Sequence, residues 1–536
     1  MKKKFYIKTI LLLIFCMLLQ TPFNYFVKTA KAASSPNILW AKAYGGEEGD
    51  DFKSLIQTED GGCVILGHTG SDTGDFKGLR KGYYTDAFIM KIDKYGSIKW
   101  KSLFGGNKED FFYSIAKDNN NDYIVAGSSY STDGDLKGLN KGIEDAVLAK
   151  YSNSGTLLWK RIIGGSNYDF FTSVAVLNDG NYVAVGQTLS TDKDLSNLNI
   201  QRSDALIVKV SQNGEILWKK TFCGDIYEIF YSVCPTSDGG FIAVGSSNSD
   251  TYDMSGIKDC YYNQSYDAII VKYDKDGNIQ WKKILAGNND EAFKYVISTK
   301  DGYVAIGETK SSDENFEGLS KGDTDGFIAK YDNYGNLIWN KTFGGSRYDC
   351  FNGLNTDNDG YIVFGRSYSN DKDMSSLSKG TSTAIMLKYD DNGNLIWKKS
   401  FGGSGINCFN HGYFYNDEYT AVGFSTSSDK DMSGISIGFG DAVLVKYGNS
   451  VNNLKLTGLK LNITNTTLRK GQKINLKAST LPVNIINKKI LWSSSNSKVA
   501  KVDSSGCVTA LSKGNTIIYA YMPNYGYKVY CKITVK

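Results

Sequence analysis

Acidic side chains recur at one position of a repeated sequence, where they could form a charged ring. Four residues after the second position of a Gly-Gly-like doublet stand Asp50, Asp110, Asp169, Glu228, Glu291, Asp349 and Asn407, and two residues later Phe52, Phe112, Phe171, Phe230, Phe293, Phe351 and Phe409. One interpretation is an acidic collar that binds a cation or a cationic ligand. The other is that each carboxylate caps backbone N–H groups while the Phe packs between repeats. We favour the structural interpretation, because a feature of every repeat usually serves the repeat.

A second set of carboxylates lies in the longer polar segments, as the pairs Asp133/Asp135, Asp192/Asp194, Asp371/Asp373 and Asp429/Asp431. Spaced carboxylates suit Ca²⁺, which takes six to eight oxygen ligands. No segment completes an EF-hand, however, and a lysine separates the acids in three of the four pairs. We therefore expect Asx-turns and no cofactor, with calcium as the alternative.

Tyrosines are concentrated in the segment 249–266. It carries Tyr252, Tyr261, Tyr262 and Tyr266 among amides and carboxylates. An aromatic ring can cover the apolar face of a sugar while polar groups orient it. The alternative is ordinary surface packing in a chain with 36 tyrosines. These four tyrosines are our candidate ligand-binding residues.

No catalytic constellation is visible in the sequence. His68 and His411 are the chain's two histidines, which excludes a His-rich metal centre. We predict that the protein is not an enzyme and contains no catalytic or metal-ligating set. Glycoside hydrolysis by a carboxylate pair stays an alternative, because the separation of two acids in space is invisible in sequence.

The elements that position these residues follow from a repeat. Its marker is a tryptophan, at Trp40, Trp100, Trp159, Trp218, Trp281, Trp339 and Trp397, with spacings of 60, 59, 59, 63, 58 and 58 residues. Each repeat predicts four short strands, as in 325–331, 337–343, 349–355 and 361–367. Seven such units predict an all-β fold, a seven-bladed β-propeller with four-stranded blades.

The two ends of the repeat array predict how the ring closes. The last apolar strand, 441–447, has no Trp strand after it, whereas the first Trp strand, 37–44, precedes any apolar strand. We expect the N-terminal strand to complete the last blade and remove open sheet edges. The longer connections then share one face of the disc, which loop length marks as the working surface.

The repeats at 37–447 resemble the bacterial β-propeller family known as SBBP, with units such as DAF, K, G and W followed by GG and D. This resemblance implies a fold and little function. After a polar linker, the chain is similar to group 2 bacterial immunoglobulin-like domains, on the motif residues 491–496 (LWSSSN), 499–503 (VAKVD), 506–510 (GCVTA) and Gly514. That resemblance implies a small β-sandwich at 454–536, with Trp492 in its core.

Charge and composition add a cellular context. Residues 1–32 begin with Lys2, Lys3 and Lys4, continue with an apolar stretch and end in an Ala-Lys-Ala site, which together predict a signal peptide. The domains are then a signal peptide at 1–32, the propeller at 33–453 and the immunoglobulin-like domain at 454–536. Thirteen lysines and Arg469 against Asp503 give the last domain a net charge of +13, whereas 33–453 carries −14. Such asymmetry indicates a partner for the basic domain.

The cysteines do not follow the repeat. Cys350 and Cys408 occupy equivalent positions in adjacent repeats, and Cys507 and Cys531 share the last domain. Disulfide pairing is one interpretation, but we favour small buried apolar residues.

These observations predict an exported binding or scaffold protein of a Gram-positive-like cell, secreted or held at the cell surface. The propeller face would recognise a glycan or a protein, and the basic domain would be a spacer or a contact to anionic cell-wall polymers. The alternatives are an extracellular polysaccharide-degrading enzyme and a protein-binding adhesin. We expect a monomer with no nucleic-acid partner and no membrane span after signal cleavage.

Overall fold

The chain forms seven four-stranded antiparallel sheets and a second, smaller β-domain. The structure is a computed structural model that describes residues 35–257, 265–448, 458–481, 490–522 and 527–536. The predicted signal peptide, Tyr261 and Tyr262 lie outside these residues. No helix in the described ranges has the length and apolar character needed to span a membrane.

Each sheet is one blade with an inner, a second, a third and an outer strand. The inner strands of blades 1–7 are Asp50–Gln57, Asp110–Lys117, Asp169–Val176, Glu228–Pro235, Glu291–Ser298, Asp349–Thr356 and Asn407–Tyr415. The second strands are Cys63–Thr69, Tyr123–Ser129, Tyr182–Thr188, Phe241–Ser247, Gly302–Thr309, Gly360–Ser367 and Glu418–Ser425. The third strands are Asp86–Ile92, Asp145–Tyr151, Asp204–Val210, Asp267–Tyr273, Asp325–Asp332, Thr383–Asp390 and Asp441–Gly448.

The outer strands show how the ring closes. In blades 1–6 they are Ile98–Phe104, Leu157–Ile163, Ile216–Phe222, Ile279–Leu285, Leu337–Phe343 and Leu395–Phe401, whereas blade 7 takes the N-terminal strand Asn37–Tyr44. That strand pairs antiparallel with Asp441–Gly448. Each inner strand contacts those of its two neighbours, and the seventh contacts the first. The predicted seven-bladed β-propeller, closed by the N-terminal strand, is confirmed.

The blades interlock through tryptophan and glycine. The Trp100 ring of blade 1 lies against the turn at Gly155 of blade 2, where φ is +85° and an added Cβ would stand 2.5 Å from the indole. Gly335 meets Trp281 in the same way, at 2.8 Å. Only glycine combines this backbone conformation with such a close approach. This contact explains why the tryptophan and the Gly turn recur together.

The connections between second and third strands each contain a short 3₁₀ turn that the sequence did not predict. These turns are Gly74–Phe76, Gly134–Leu136, Lys193–Leu195, Tyr252–Met254, Glu314–Phe316, Lys372–Met374 and Lys430–Met432. The last residue of each is fully buried beneath its blade. Each long connection is therefore anchored to its blade by a buried side chain.

The smaller domain is a β-sandwich with its own core. Its strands are Gly458–Leu461, Asn465–Leu468, Lys473–Asn475, Ala478–Leu481, Leu491–Ser494, Ala500–Val502, Cys507–Ala510, Gly514–Met522 and Tyr527–Val535. They form sheets of four, three and two strands. Trp492 packs against the core built around Ile518, Ala520 and Ile533, as the sequence predicted.

Candidate functional site

The ring carboxylates are held by the blades themselves. The Gly106 N–H donates to Asp110 Oδ2 at 2.9 Å, and the Ser131 hydroxyl donates to the same oxygen at 2.9 Å. The other oxygen, Oδ1, accepts from Ser129. The equivalent acids of the other blades bind in the same way, and all seven following phenylalanines are fully buried. This arrangement supports the structural interpretation and leaves no acidic collar open to a ligand.

Each ring acid also faces an acid from the preceding blade. A Cβ placed on Gly105 would stand 2.6 Å from Asp86 Oδ1 and 2.3 Å from Asp110 Oδ2. Six junctions pair acids in this way, namely Asp441/Asp50, Asp86/Asp110, Asp145/Asp169, Asp204/Glu228, Asp267/Glu291 and Asp325/Asp349. At the seventh junction both positions are neutral, Thr383 and Asn407. Burial raises the pKa of Asp86 to about 6 and that of Asp110 to about 7.

The spaced aspartates of the connections have a different partner from the one predicted. Asp133 Oδ1 accepts from the Asn107 N–H at 2.8 Å, and Asp135 Oδ2 accepts from the Gly105 N–H at 3.1 Å. The other three pairs bind the same backbone positions of their own blade junctions. These carboxylates thus fasten the connection to a Gly-Gly segment about 25 to 30 residues earlier, rather than to a local Asx-turn.

A cavity of about 340 Å³ opens on the face that carries the long connections. Its wall contains the tyrosines Tyr227, Tyr231, Tyr266 and Tyr348 and the charged side chains Asp290, Glu291, Lys294, Glu308 and Lys310. An adjoining cavity of about 290 Å³ shares Tyr231 and Lys294 and adds Tyr113, Glu144, Phe170 and Thr172. We call the two together the axial pocket, since Tyr231 and Lys294 project from inner strands.

The inner-strand residues reach the pocket because of a β-bulge. In every inner strand the pairing register shifts three residues after the ring position. The residues at this bulge are Lys53, Tyr113, Thr172, Tyr231, Lys294, Asn352 and Asn410. A bulge leaves one residue unpaired and re-aims its side chain. The seven bulge residues differ in chemistry from blade to blade, so the ring of blades carries an asymmetric set of contact groups.

Charged groups in the pocket form one connected network. Lys294 Nζ lies 4.3 Å from the centroid of the Tyr231 ring and 3.1 Å from Glu308 Oε1. The Tyr348 hydroxyl donates to Glu308 Oε2 at 2.6 Å. Burial disfavours the charge on Lys294, but the neighbouring Tyr231 and Glu308 outweigh it and raise its pKa. Lys294 and Glu308 are thus fixed by each other, and each also holds one tyrosine of the pocket wall.

The predicted tyrosines divide between two environments. Tyr266 lines the axial pocket, and its ring lies edge-on to that of Tyr227 at 5.3 Å. Tyr252 is 53% exposed on its 3₁₀ turn and is not among the pocket residues. Tyr261 and Tyr262 lie outside the described residues. The sequence did not single out Tyr227, Tyr231, Lys294, Glu308 or Tyr348.

A signal for these missed residues exists within the repeats. The bulge position lies three residues after the ring acid, and in six of the seven blades it holds a half-buried lysine, tyrosine or asparagine. Aligning the seven repeats and comparing them position by position would have separated the variable bulge residues from the packing residues that are the same in every repeat. The resulting variability, rather than local composition, marks the candidate site.

Histidines and cysteines sit in apolar surroundings. Burial lowers the pKa of His68 and of His411 to about 4, so both rings are neutral at pH 7. Cys350, Cys408, Cys507 and Cys531 are free thiols in this structure, and all but Cys507 are buried. The thiols thus pack as small apolar residues, in keeping with the interpretation we favoured.

Comparison with known proteins places the smaller domain in a family. Residues 455–533 match the bacterial Ig-like domain (group 2). Over 91% of its length the chain is 23% identical to an uncharacterised WD repeat-containing protein of Acanthamoeba polyphaga mimivirus, of which it covers 42%. Over 20% of its length it is 35% identical to a kappa-carrageenase of Pseudoalteromonas carrageenovora, of which it covers 28%. The chain thus spans less than half of each of these relatives.

Solved structures with some likeness include two propeller-sized chains. The WD40 β-propeller domain of Doa1 matches 78% of this chain at 10% identity with a TM-score of 0.41. YCF48 bound to D1 peptide matches 77% at 9% identity with a TM-score of 0.40. The propeller architecture itself is defined by the strand pairing described above. Membership of the SBBP repeat family stays a prediction.

Proposed function

We propose that this protein is an exported, cell-envelope-associated binding protein whose propeller recognises an extracellular glycan at the axial pocket. A propeller joined to a group 2 Ig-like domain is compatible with a binding or scaffold role. The observation that carries the proposal is the pocket itself, where four tyrosines surround fixed charged and polar groups on the long-connection face. Aromatic faces with convergent polar groups are the chemistry that sugar recognition uses.

The arrangement of the tyrosines supports a sugar in particular. Tyr227 and Tyr266 meet edge-on, so their faces point in different directions, while Tyr231 and Tyr348 are held by Lys294 and Glu308. Holding the aromatic side chains before the ligand arrives lowers the entropy cost of binding. The partial match to a protein named a carrageenase is in keeping with a carbohydrate ligand, although it covers a fifth of the chain.

The immunoglobulin-like domain would supply a second, electrostatic contact. Its net charge of +13 opposes the −14 of residues 33–453. Anionic wall polymers such as teichoic acids would bind the basic domain and keep the acidic propeller facing outward by repulsion. The predicted signal peptide supports export and therefore this location at the cell surface.

A polysaccharide-degrading enzyme is the rival function, favoured by the same partial match. The acids of the pocket, however, are already engaged: Glu308 by Lys294 and Tyr348, and Asp290 by Lys310 at 2.8 Å. Glu291 accepts from the Gly287 N–H and the Thr309 hydroxyl, and Glu144 accepts from the Tyr130 hydroxyl at 2.7 Å. A glycosidase needs one carboxyl to give up a proton and a second to act as base or nucleophile. Two separate ion pairs suit binding better than that chemistry.

The test is a screen of the chain 33–536 against immobilised oligosaccharides, followed by calorimetry and an assay for released reducing ends. We expect saturable binding of at least one glycan class and no new reducing ends. Release of reducing sugar would establish the rival enzyme, and binding of proteins with no glycan bound would establish an adhesin. The protein ligand of an adhesin would be sought next by the same calorimetry.

A further inference from the structure

One cation beside the axial pocket has no counter-ion among the residues that the structure describes. Arg366 lies on the second strand of blade 6, directly opposite Cys350 of the inner strand. Its guanidinium stands 5.7 Å from the ring centroid of Tyr348 and 5.6 Å from that of Tyr368. Arg366 forms no ion pair with any residue of the described ranges, and its Nε is buried without a hydrogen-bond partner. A half-buried guanidinium loses hydration that no anion replaces here, and this loss is costly.

The nearby acids Asp51 and Glu308 form their ion pairs with lysines and not with Arg366. Asp51 Oδ2 accepts from Lys53 at 2.6 Å, and Asp51 Oδ1 accepts from Asn410 at 2.8 Å. Glu308 is likewise bound through one oxygen by Lys294 and through the other by Tyr348. Cys350, the cross-strand neighbour, is a buried thiol whose pKa is raised by burial and which therefore carries no charge at pH 7.

We propose that Arg366 is the anion subsite of the axial pocket and binds the acidic substituent, carboxylate or sulfate, of an acidic glycan. The inference rests on the proposed function and specifies its ligand class. Tyr348 joins the two parts of the site, since its ring contacts Arg366 and its edge lines the cavity. A sugar ring against the tyrosines would place an acidic substituent within reach of the guanidinium, whose planar fork suits such groups.

Contact with two aromatic rings explains why the position holds arginine. The guanidinium lies within cation–π distance of both tyrosine rings, and its weak hydration tolerates the half-buried position better than an ammonium would. The equivalent positions in the other blades are His68, Ser128, Gln187, Ser246, Glu308 and Phe424, so the anion subsite belongs to one blade alone. The ligand would therefore bind off-centre, across blades 4 to 6.

Calorimetry with three probes of equal length tests this: an oligogalacturonate, a sulfated galactan oligosaccharide and a neutral galactan oligosaccharide. We expect the chain to bind an acidic probe at least tenfold more tightly than the neutral one. R366Q should abolish that preference and leave neutral binding unchanged, and R366K should restore it only in part. R347Q is the matched control and should behave as the native chain. Arg347 is an exposed arginine that stands just before the inner strand of the same blade.

The outcomes separate the two proposals. Preference for the uronate assigns a carboxylate ligand and preference for the sulfated probe assigns a sulfate, and either supports the subsite. Equal binding of acidic and neutral probes, or an acidic preference that survives R366Q in a chain with native thermal midpoint, overturns the subsite while the glycan-binding proposal stands. Failure of all three probes and of the wider screen overturns both.

Discussion

Asp86 and Asp110 face each other across the junction of blades 1 and 2, and both are fully buried. Their oxygens Oδ1 and Oδ2 lie 2.6 Å and 2.3 Å from the point where Gly105 would carry a Cβ. Asp86 Oδ1 has no hydrogen-bond partner in the structure, although three donors hold Asp110. Burial disfavours the charged form of both carboxyls and each repels the charge of the other, which favours an arrangement in which the pair holds a proton near neutral pH.

The carboxyl pairs predict that the fold is more stable in mild acid than at slightly alkaline pH. Burial raises the pKa of Asp50 to about 6, of Asp204 to about 7 and of Glu291 to about 7, above the values of an unfolded chain. Their stabilising contribution is complete below about pH 4 and is lost as the pH rises through about 6 to 7. The thermal midpoint should therefore be several degrees higher at pH 5 than at pH 8, measured by calorimetry.

At still lower pH the stability of the fold should decrease again. The hydrogen bond from Thr58 is the main cause that lowers the pKa of Asp60 to about 2, so its contribution is lost as the pH falls toward that value. Asp110→Asn, which copies Asn407 of blade 7, should reduce the difference between pH 5 and pH 8. A midpoint at pH 8 equal to or above that at pH 5 would refute the shared proton.

The glycine of the junction and the length of the ring acid are predicted to be coupled. A Cβ on Gly164 would meet Asp145 Oδ1 at 2.0 Å and Asp169 Oδ2 at 3.0 Å. Blades 4 and 5 begin this segment with Cys223 and Ala286, and there the ring acid is glutamate in place of aspartate. Gly164→Ala should lower the free energy of unfolding by about 1–3 kcal/mol, and adding Asp169→Glu should recover part of the loss.

A double-mutant cycle in urea measures that coupling. Asp169→Glu alone should also destabilise, because the longer side chain is not matched to a glycine at residue 164. Strictly additive effects of the two changes would mean that the pattern in blades 4 and 5 has no structural cause.

The basic domain predicts salt-dependent attachment to the cell wall. The chain 33–536 should co-sediment with cell-wall sacculi at low salt and be released at high salt, since screening weakens contacts between exposed charges. The propeller and the smaller domain have separate cores, so the chain 33–453 serves as the control. Salt-resistant pelleting of both chains would instead assign wall recognition to the propeller, and absence of pelleting would indicate a freely secreted protein.

The architecture could be predicted from the sequence because the residues that pack each blade recur in every repeat. Residues that contact a ligand do not recur in this way. The predicted strands 337–343 and 37–44 match the observed Leu337–Phe343 and Asn37–Tyr44, and others differ by one residue at an end. Each blade must bury the same groups, so seven copies report the same constraint. The 3₁₀ turns escaped notice because their single buried anchors, such as Leu136 and Met374, look like isolated apolar residues in polar segments.

The site was only partly accessible to such reasoning. Tyr266 was found because it ends an unusual tyrosine-rich segment, whereas Lys294 and Arg366 lie inside strands. The residues of the larger cavity come together only when neighbouring blades pack side by side, since they belong to blades 4, 5 and 6. The partners Glu308 and Tyr348 likewise come from different blades. Sequence position alone carries no information about such contacts.

The axial pocket is predicted to bind a glycan through its tyrosines. Calorimetry with the glycan found in the screen should compare the native chain with Tyr266→Ala and with Tyr334→Ala, a tyrosine that is 78% exposed in a tight turn of the opposite face. We expect Tyr266→Ala to weaken binding about tenfold or more, a loss of about 1.4 kcal/mol, and Tyr334→Ala to bind as the native chain does. Native affinity in Tyr266→Ala would contradict the assignment of the site.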